Sequence, residues 1–203
     1  MPHGLQLLAR IWKDLNVSSL EVTLARIVAG SVACFAVASP SWAATATATV
    51  NVTASVAQKC KISTTDVVFG SYDPVVTNLS TALNAPSPGT LVVTCTKNAS
   101  GVTLALNMGS NSTGGTNRRL LEAGGAGMYL TYQLYQPAAT TPGAACAYTT
   151  IWGDGTNGAV LTPSGTTWGN ASAQTFNVCG QVPAGQDVEQ GSYADVITAT
   201  VNF

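Results

Sequence analysis

Residues 44–57, ATATATVNVTASVA, alternate small or apolar residues with polar ones almost without a break. Ala44, Ala46, Ala48, Val50, Val52, Ala54 and Val56 fall on one side, and Thr45, Thr47, Thr49, Asn51, Thr53 and Ser55 on the other. Successive side chains of an extended strand point to opposite faces, so the pattern predicts a strand. At about 3.3 Å per residue it would reach roughly 46 Å, against ~17–20 Å for a common globular strand. That is more than one small domain can use. Downstream, β-rich segments follow one another between turn clusters: KCKIST, DVVFGSYDP, GTLVVTCT, GVTLALNMG, MYLTYQLYQ, TTIWGDG and AQTFNVCGQV. The polar, Gly-rich GSNSTGGTNRR reads as a long hairpin tip or loop. From Tyr193 a strand pattern runs to the last residue, with Ile197, Ala199, Val201 and Phe203 on one face and Thr198, Thr200 and Asn202 on the other. Nothing repeats at a helical period, and roughly seven or eight strands are predicted, as in a sandwich or barrel. A last strand that stops without a closing turn leaves an unpaired edge open to another chain.

The first 43 residues read differently. Arg10, Lys13 and Arg26 precede an apolar run from Ile27 to Ala38, then Pro40 and Ser41-Trp42-Ala43. This is the order of a secretory signal peptide with a long charged leader, cleaved near Ala43. The apolar run is shorter than the ~20 residues that span a bilayer. Without the leader, five basic residues (Lys59, Lys61, Lys97, Arg118, Arg119) face seven acidic ones, a net charge near −2. With no basic cluster beyond Arg118-Arg119, the chain offers no electrostatic footprint for nucleic acid. Low charge and abundant Thr, Ser, Gly and Asn point to one all-β exported domain.

Cys34 belongs to the leader, which leaves Cys60, Cys95, Cys146 and Cys179. An even count in an exported chain predicts two disulfides. Of three connectivities, Cys60–Cys95 with Cys146–Cys179 is preferred because each pair then lies within one half of the chain. Cys146 sits in the loop-like PGAACAY, so two unpaired thiols are the alternative for the second pair.

Chemistry is thinly represented. The single histidine, His3, lies in the leader, so histidine triads and histidine-metal sites are excluded from the rest. Asp187 and Glu189 are close enough to act as a carboxylate pair, but a solvated loop after Pro183-Ala184-Gly185 explains them more simply. GDGTNG around Asp154 lacks the spaced acidic ligands of a calcium loop and reads as a tight turn. Tyr129, Tyr132, Tyr135, Trp152 and Trp168 are expected in packing and cross-strand pairs rather than on a ligand. No catalytic residue, metal site or cofactor is predicted, and no enzyme activity.

The alternating leader strand, Cys60, FGSYDP at 69–74, VVTCT at 92–96, YQLY at 132–135 and the ending GSYADVITATVNF together resemble the spore coat protein U domain family, the secreted pilin-like domains of archaic, Csu-type chaperone–usher pili. The likeness covers roughly 44–203. It implies an incomplete immunoglobulin-like β-sandwich of pilin type, residues 58–203, with an N-terminal extension, residues 44–57, running into the first strand. It also implies donor-strand complementation, a form of β-augmentation. Ala46, Ala48, Val50, Val52 and Ala54 would plug a neighbour's groove. Ile197, Ala199, Val201 and Phe203 would form the groove-edge strand that a chaperone reads first. The implied partners are a periplasmic chaperone, an outer-membrane usher and other pilin subunits, with no small-molecule substrate. The implied place is an extracellular fimbria reached through the periplasm, serving adhesion or biofilm formation. A secreted spore or cell-coat protein of the same fold, and a carbohydrate-binding module, are the alternatives.

Overall fold

The structure, a computed structural model, describes residues 44–124, 127–169 and 172–203; the leader at 1–43 lies outside them. The chain divides into two units, Met1–Val52 and Thr53–Phe203. In the first, residues 44–52 are exposed and carry no strand. The second opens with a further exposed stretch and enters its first strand at Cys60.

Ten strands build this second unit: β1 (Cys60–Thr65), β2 (Leu83–Asn84), β3 (Gly89–Cys95), β4 (Thr103–Leu106), β5 (Arg118–Glu122), β6 (Tyr129–Pro137), β7 (Cys146–Ile151), β8 (Gln174–Val182), β9 (Tyr193–Ala194) and β10 (Ala199–Asn202). The described residues contain no helix. A large sheet runs β1-β3-β8-β6-β5-β9, with β2 added to β8 and β7 to β6. The small sheet pairs β10 with β4, whose Leu104 also bridges Leu161. Every strand pairing is antiparallel.

Period two decides which residues form the core. In β3 Gly89, Leu91, Val93 and Cys95 are buried, with half-buried residues between them. In β6 the same alternation buries Leu130, Tyr132 and Leu134. These side chains, with Phe176, Val178 and Val182 of β8, meet Leu104 and Leu106 of β4 and the fully buried Trp152 and Leu161. The result is a two-layer sandwich around one core. Two disulfides reinforce it. Cys60 joins Cys95 directly across β1 and β3, with Cα atoms 4.1 Å apart. Cys146 joins Cys179, linking β7 to β8.

Three segments depart from the sequence reading. DVVFGSYDP forms no ladder; only Val68 makes an isolated bridge, to Ser87. Gly70 there has φ 79°, and the Asp73 carboxylate accepts from the backbone N–H groups of Val75, Val76 and Thr77. That turn chemistry overrides the β propensity of the paired valines. GSNSTGGTNRR ends earlier than expected, because Arg118 and Arg119 lie in β5. The terminal pattern breaks into β9 and β10, each on a different sheet. At the break Asp195 accepts from the N–H groups of Ser110, Asn111 and Val196, which holds the chain out of a regular ladder. Phe203 lies past the last ladder pair, Asn202 with Thr103, and is 51% exposed, so it does not share the buried face expected of it.

Candidate functional site

An open groove of about 930 Å³ runs between the two sheets. One wall is β1 from Thr64 and the strap that follows it to Tyr72 and Pro74; the other runs from Val188 through β9 to Ile197 and Ala199. Leu91, Leu106, Leu130, Leu134 and Val182 line its floor. The strap sits close because it crosses glycine: a Cβ on Gly180 would stand 2.5 Å from Val67 Cγ1 and 2.8 Å from the Phe69 ring. Phe69 in turn packs edge-on against Tyr132, with ring centroids 5.8 Å apart.

Hydrogen-bond parity shows what borders this opening. In antiparallel pairs, residues alternate between those that bond the partner and those whose N–H and C=O face the opposite edge. Asn107 N–H donates to Thr198 C=O at 3.0 Å and Ser110 N–H to Val196 C=O at 3.1 Å. Thr198, Thr200 and Asn202 therefore point their backbone groups at β4, while Ile197, Ala199 and Val201 point theirs away. In β1, Thr96 N–H donates to Lys59 C=O, which places Lys61, Ser63 and Thr65 in bonded pairs with β3. Cys60, Ile62 and Thr64 thus face the free edge. Neither β1 nor β10 has a second ladder partner among the described residues. Cys60, Ile62 and Val201 pack on the core beyond the groove's end, whereas the exposed Thr64 is the first β1 residue to line it. Apolar side chains and unpaired backbone groups thus lie together along the groove, the two features that pairing with an extended segment requires.

The polar groups around the groove fix its shape. Tyr132 donates its hydroxyl to Asp195 Oδ2 at 2.8 Å. Burial, then that carboxylate, push the phenol far above its ordinary pKa, so it holds its proton. β8 ends because Pro183, next in register for Thr131, has no N–H to give. The Gln186 amide takes that place, accepting from Thr131 N–H at 2.7 Å and donating to Thr131 C=O at 2.9 Å. Arg118, fully buried, crosses from β5 to the small sheet, donating to the carbonyls of Leu106, Asn107 and Trp152. Burial lowers its pKa, while Tyr132, Asp195 and Asp154 favour its charge.

Several candidates from the sequence resolve at once. Asp187 and Glu189 are exposed. Asp154 accepts from the N–H groups of Thr156 and Asn157 and forms a turn; those bonds, that from Asn157 first, hold its carboxyl below the usual range. No group of three or more potential metal ligands occurs among the described residues. Trp152 donates its indole N–H to Leu104 C=O inside the core. Ile197 and Ala199 line the groove, Val201 packs beyond its end, and Phe203 stands outside. Ala46, Ala48, Val50, Val52 and Ala54 are all exposed and unpaired. The sequence reading missed Val67, Phe69 and Tyr72 as groove wall. The signal was present in the inward Val67 and Phe69 flanking an outward Val68, followed by Gly70.

The family model described as Spore Coat Protein U domain matches residues 46–200. Protein U of Myxococcus xanthus is 32% identical over 173 residues, covering 81% of this chain and 89% of that protein. Among solved structures, the chain is similar to one in the crystal structure of the CsuC-CsuE chaperone-tip adhesion subunit pre-assembly complex from archaic chaperone-usher Csu pili of Acinetobacter baumannii. The TM-score is 0.47 at 19% identity, with 73% of this chain covered. This chain spans 40% of that one's length.

Proposed function

From a chain that belongs to the Spore Coat Protein U domain family, we propose a subunit of a surface fimbria assembled by donor-strand complementation. Residues 44–56 of one subunit lie in the groove of the next, with Ala46, Ala48, Val50, Val52 and Ala54 turned to its floor. The backbone of the inserted segment bonds the free edge of the last strand at Ile197 and Ala199. A periplasmic chaperone fills the groove first, an outer-membrane usher exchanges it for the neighbour's segment, and the fibre serves adhesion or biofilm formation. The observation that carries this reading is the match between a groove with an apolar floor and two unpaired edges and an exposed, alternating segment that has no ladder of its own.

Deletion of residues 44–54 is the test. The truncated chain should bind chaperone and yield no fibres, because its own groove is intact and the strand it owes its neighbour is gone. Val50→Asp should block assembly too, since a buried unpaired carboxylate costs several kcal/mol. Normal fibres from either variant would refute the assignment. The family's spore-coat members keep a coat layer of the same fold as a second reading; electron microscopy of assembled material distinguishes a thread from a sheet.

A further inference from the structure

Three large apolar side chains stand in water on one turn: Val75 is 76% exposed, Val76 73% and Leu79 60%. Val68, on the strap leading to the turn, is 65% exposed. Loops ordinarily place polar residues at such positions, and clustered apolar ones mark a contact surface. The turn that carries them is firmly built. Asp73 accepts from three successive N–H groups, and Asn78, 3% exposed, accepts from Asp73 N–H and donates to Thr81 C=O at 2.9 Å. Its own carbonyl takes the Gly185 N–H at 2.8 Å. The apolar residues are therefore held outward by a hydrogen-bonded network anchored on the buried Asn78 rather than left there by a slack loop.

Their place is the rim of the groove. Tyr72 and Pro74, on either side of Asp73, line the groove, as does Val188 opposite. The lining stops at Thr64 and Ala199 toward the other end, where Ile62 and Val201 pack on the core. A segment threaded by its free N-terminus leaves its own body at the open mouth, beside this turn. Three residues, 57–59, separate Val56, the last apolar position of the alternating segment, from Cys60 in the first body strand. Even fully extended, that tether spans about 14 Å. The donating body has no room to stand clear of the rim.

We propose that Val68, Val75, Val76 and Leu79 form a body-to-body contact with a second copy of this chain, additional to the inserted segment and resting on the donor-strand reading. The contact fixes the angle between successive subunits, which the short connection through Ala57 alone would leave free.

The test uses the full mature chain, the triple variant Val75→Ser, Val76→Ser, Leu79→Ser, and Val196→Ser as an exposed apolar control away from the turn. Each is measured twice: for binding of a labelled synthetic peptide of residues 44–57 by fluorescence anisotropy, and for self-association by sedimentation velocity. The expected result is equal peptide affinity in all three, with self-association weaker by about tenfold or more in the triple variant alone, as loss of three buried aliphatic contacts implies. Equal self-association overturns the rim contact while the peptide result upholds the groove. Weaker peptide binding in the triple variant also overturns it, because the turn would then act by shaping the groove. An equal loss in Val196→Ser reduces the effect to general surface hydrophobicity and overturns it as well. Failure of the peptide to bind any of the three refutes the donor-strand reading itself, and the rim contact with it.

Discussion

Replacing Arg118 by methionine tests what holds the two sheets in register. The guanidinium reaches Trp152 C=O at 2.7 Å and Asn107 C=O at 2.8 Å through Nη2, and Leu106 C=O at 3.3 Å. Methionine fills much of the same volume and donates nothing. Asn107 lies at the surface and its carbonyl can turn to water, but those of Trp152 and Leu106 are left buried without this donor. Each costs about 1–3 kcal/mol. Removing a buried charge, whose Nη1 has no partner, offsets part of that loss. The net expectation is a destabilisation of about 2–3 kcal/mol, or roughly 4–12 °C in Tm for a body of this size. Urea unfolding followed by tryptophan fluorescence measures it, since Trp152 is fully buried. Arg118→Lys keeps the charge but lacks the planar fork, so it should fall between the two. An Arg118→Met chain as stable as the parent would refute the reasoning: desolvation of the cation would then cancel its bonds, and packing alone would align the sheets.

Gly109→Ala should cost about 1–3 kcal/mol in the same assay, because φ is 84° there and the added Cβ would stand 2.0 Å from Asp195 Oδ2; an unchanged midpoint would mean the last strand shifts freely. Phe203→Ala should change the stability of the isolated subunit by less than about 1 kcal/mol, as its exposure implies, and a loss near the ~3–5 kcal/mol of a buried Phe would show that it packs. Asp73 is held below its ordinary pKa by the N–H groups of Val76, Thr77 and Val75. A depressed folded pKa stabilises above the unfolded value near ~3.9 and is lost as pH falls through the folded one. Asp73→Asn should therefore flatten the fall in stability below about pH 4, and identical acid-unfolding profiles for variant and parent would contradict this.

The long strands were legible because their pattern is local. GTLVVTC and YLTYQLYQ alternate, and the structure buries one face of each. The features that shape the groove depend instead on partners far away in sequence. Asp195 breaks the terminal strand through Ser110, Asn111 and Tyr132, none of them within sixty residues of it. Arg118 reads as a surface cation until three carbonyls from other segments surround it. The strap from Asp66 to Tyr72 has strand composition, yet Gly70 and the Asp73 turn carry it across the sandwich rather than along a ladder. Phe203 continues the inward parity of Ile197, Ala199 and Val201, but parity gives a face only while a ladder persists, and this one ends at Asn202.

The disulfide at the start of β1 determines how the body takes a mechanical load. Tension arriving along residues 44–57 first meets five hydrogen bonds: Gln58 with Ser100 in both directions, Lys59 N–H donating to the Thr96 hydroxyl, and Lys59 C=O accepting from that hydroxyl and from Thr96 N–H. These can break and re-form. The next residue is Cys60, where the covalent path crosses to Cys95. Force then enters β3, which is flanked by β1 and β8, so β1 cannot be unzipped from its pulled end. The strand that walls the groove is spared, so under load the segment before Cys60 yields while the groove keeps its shape.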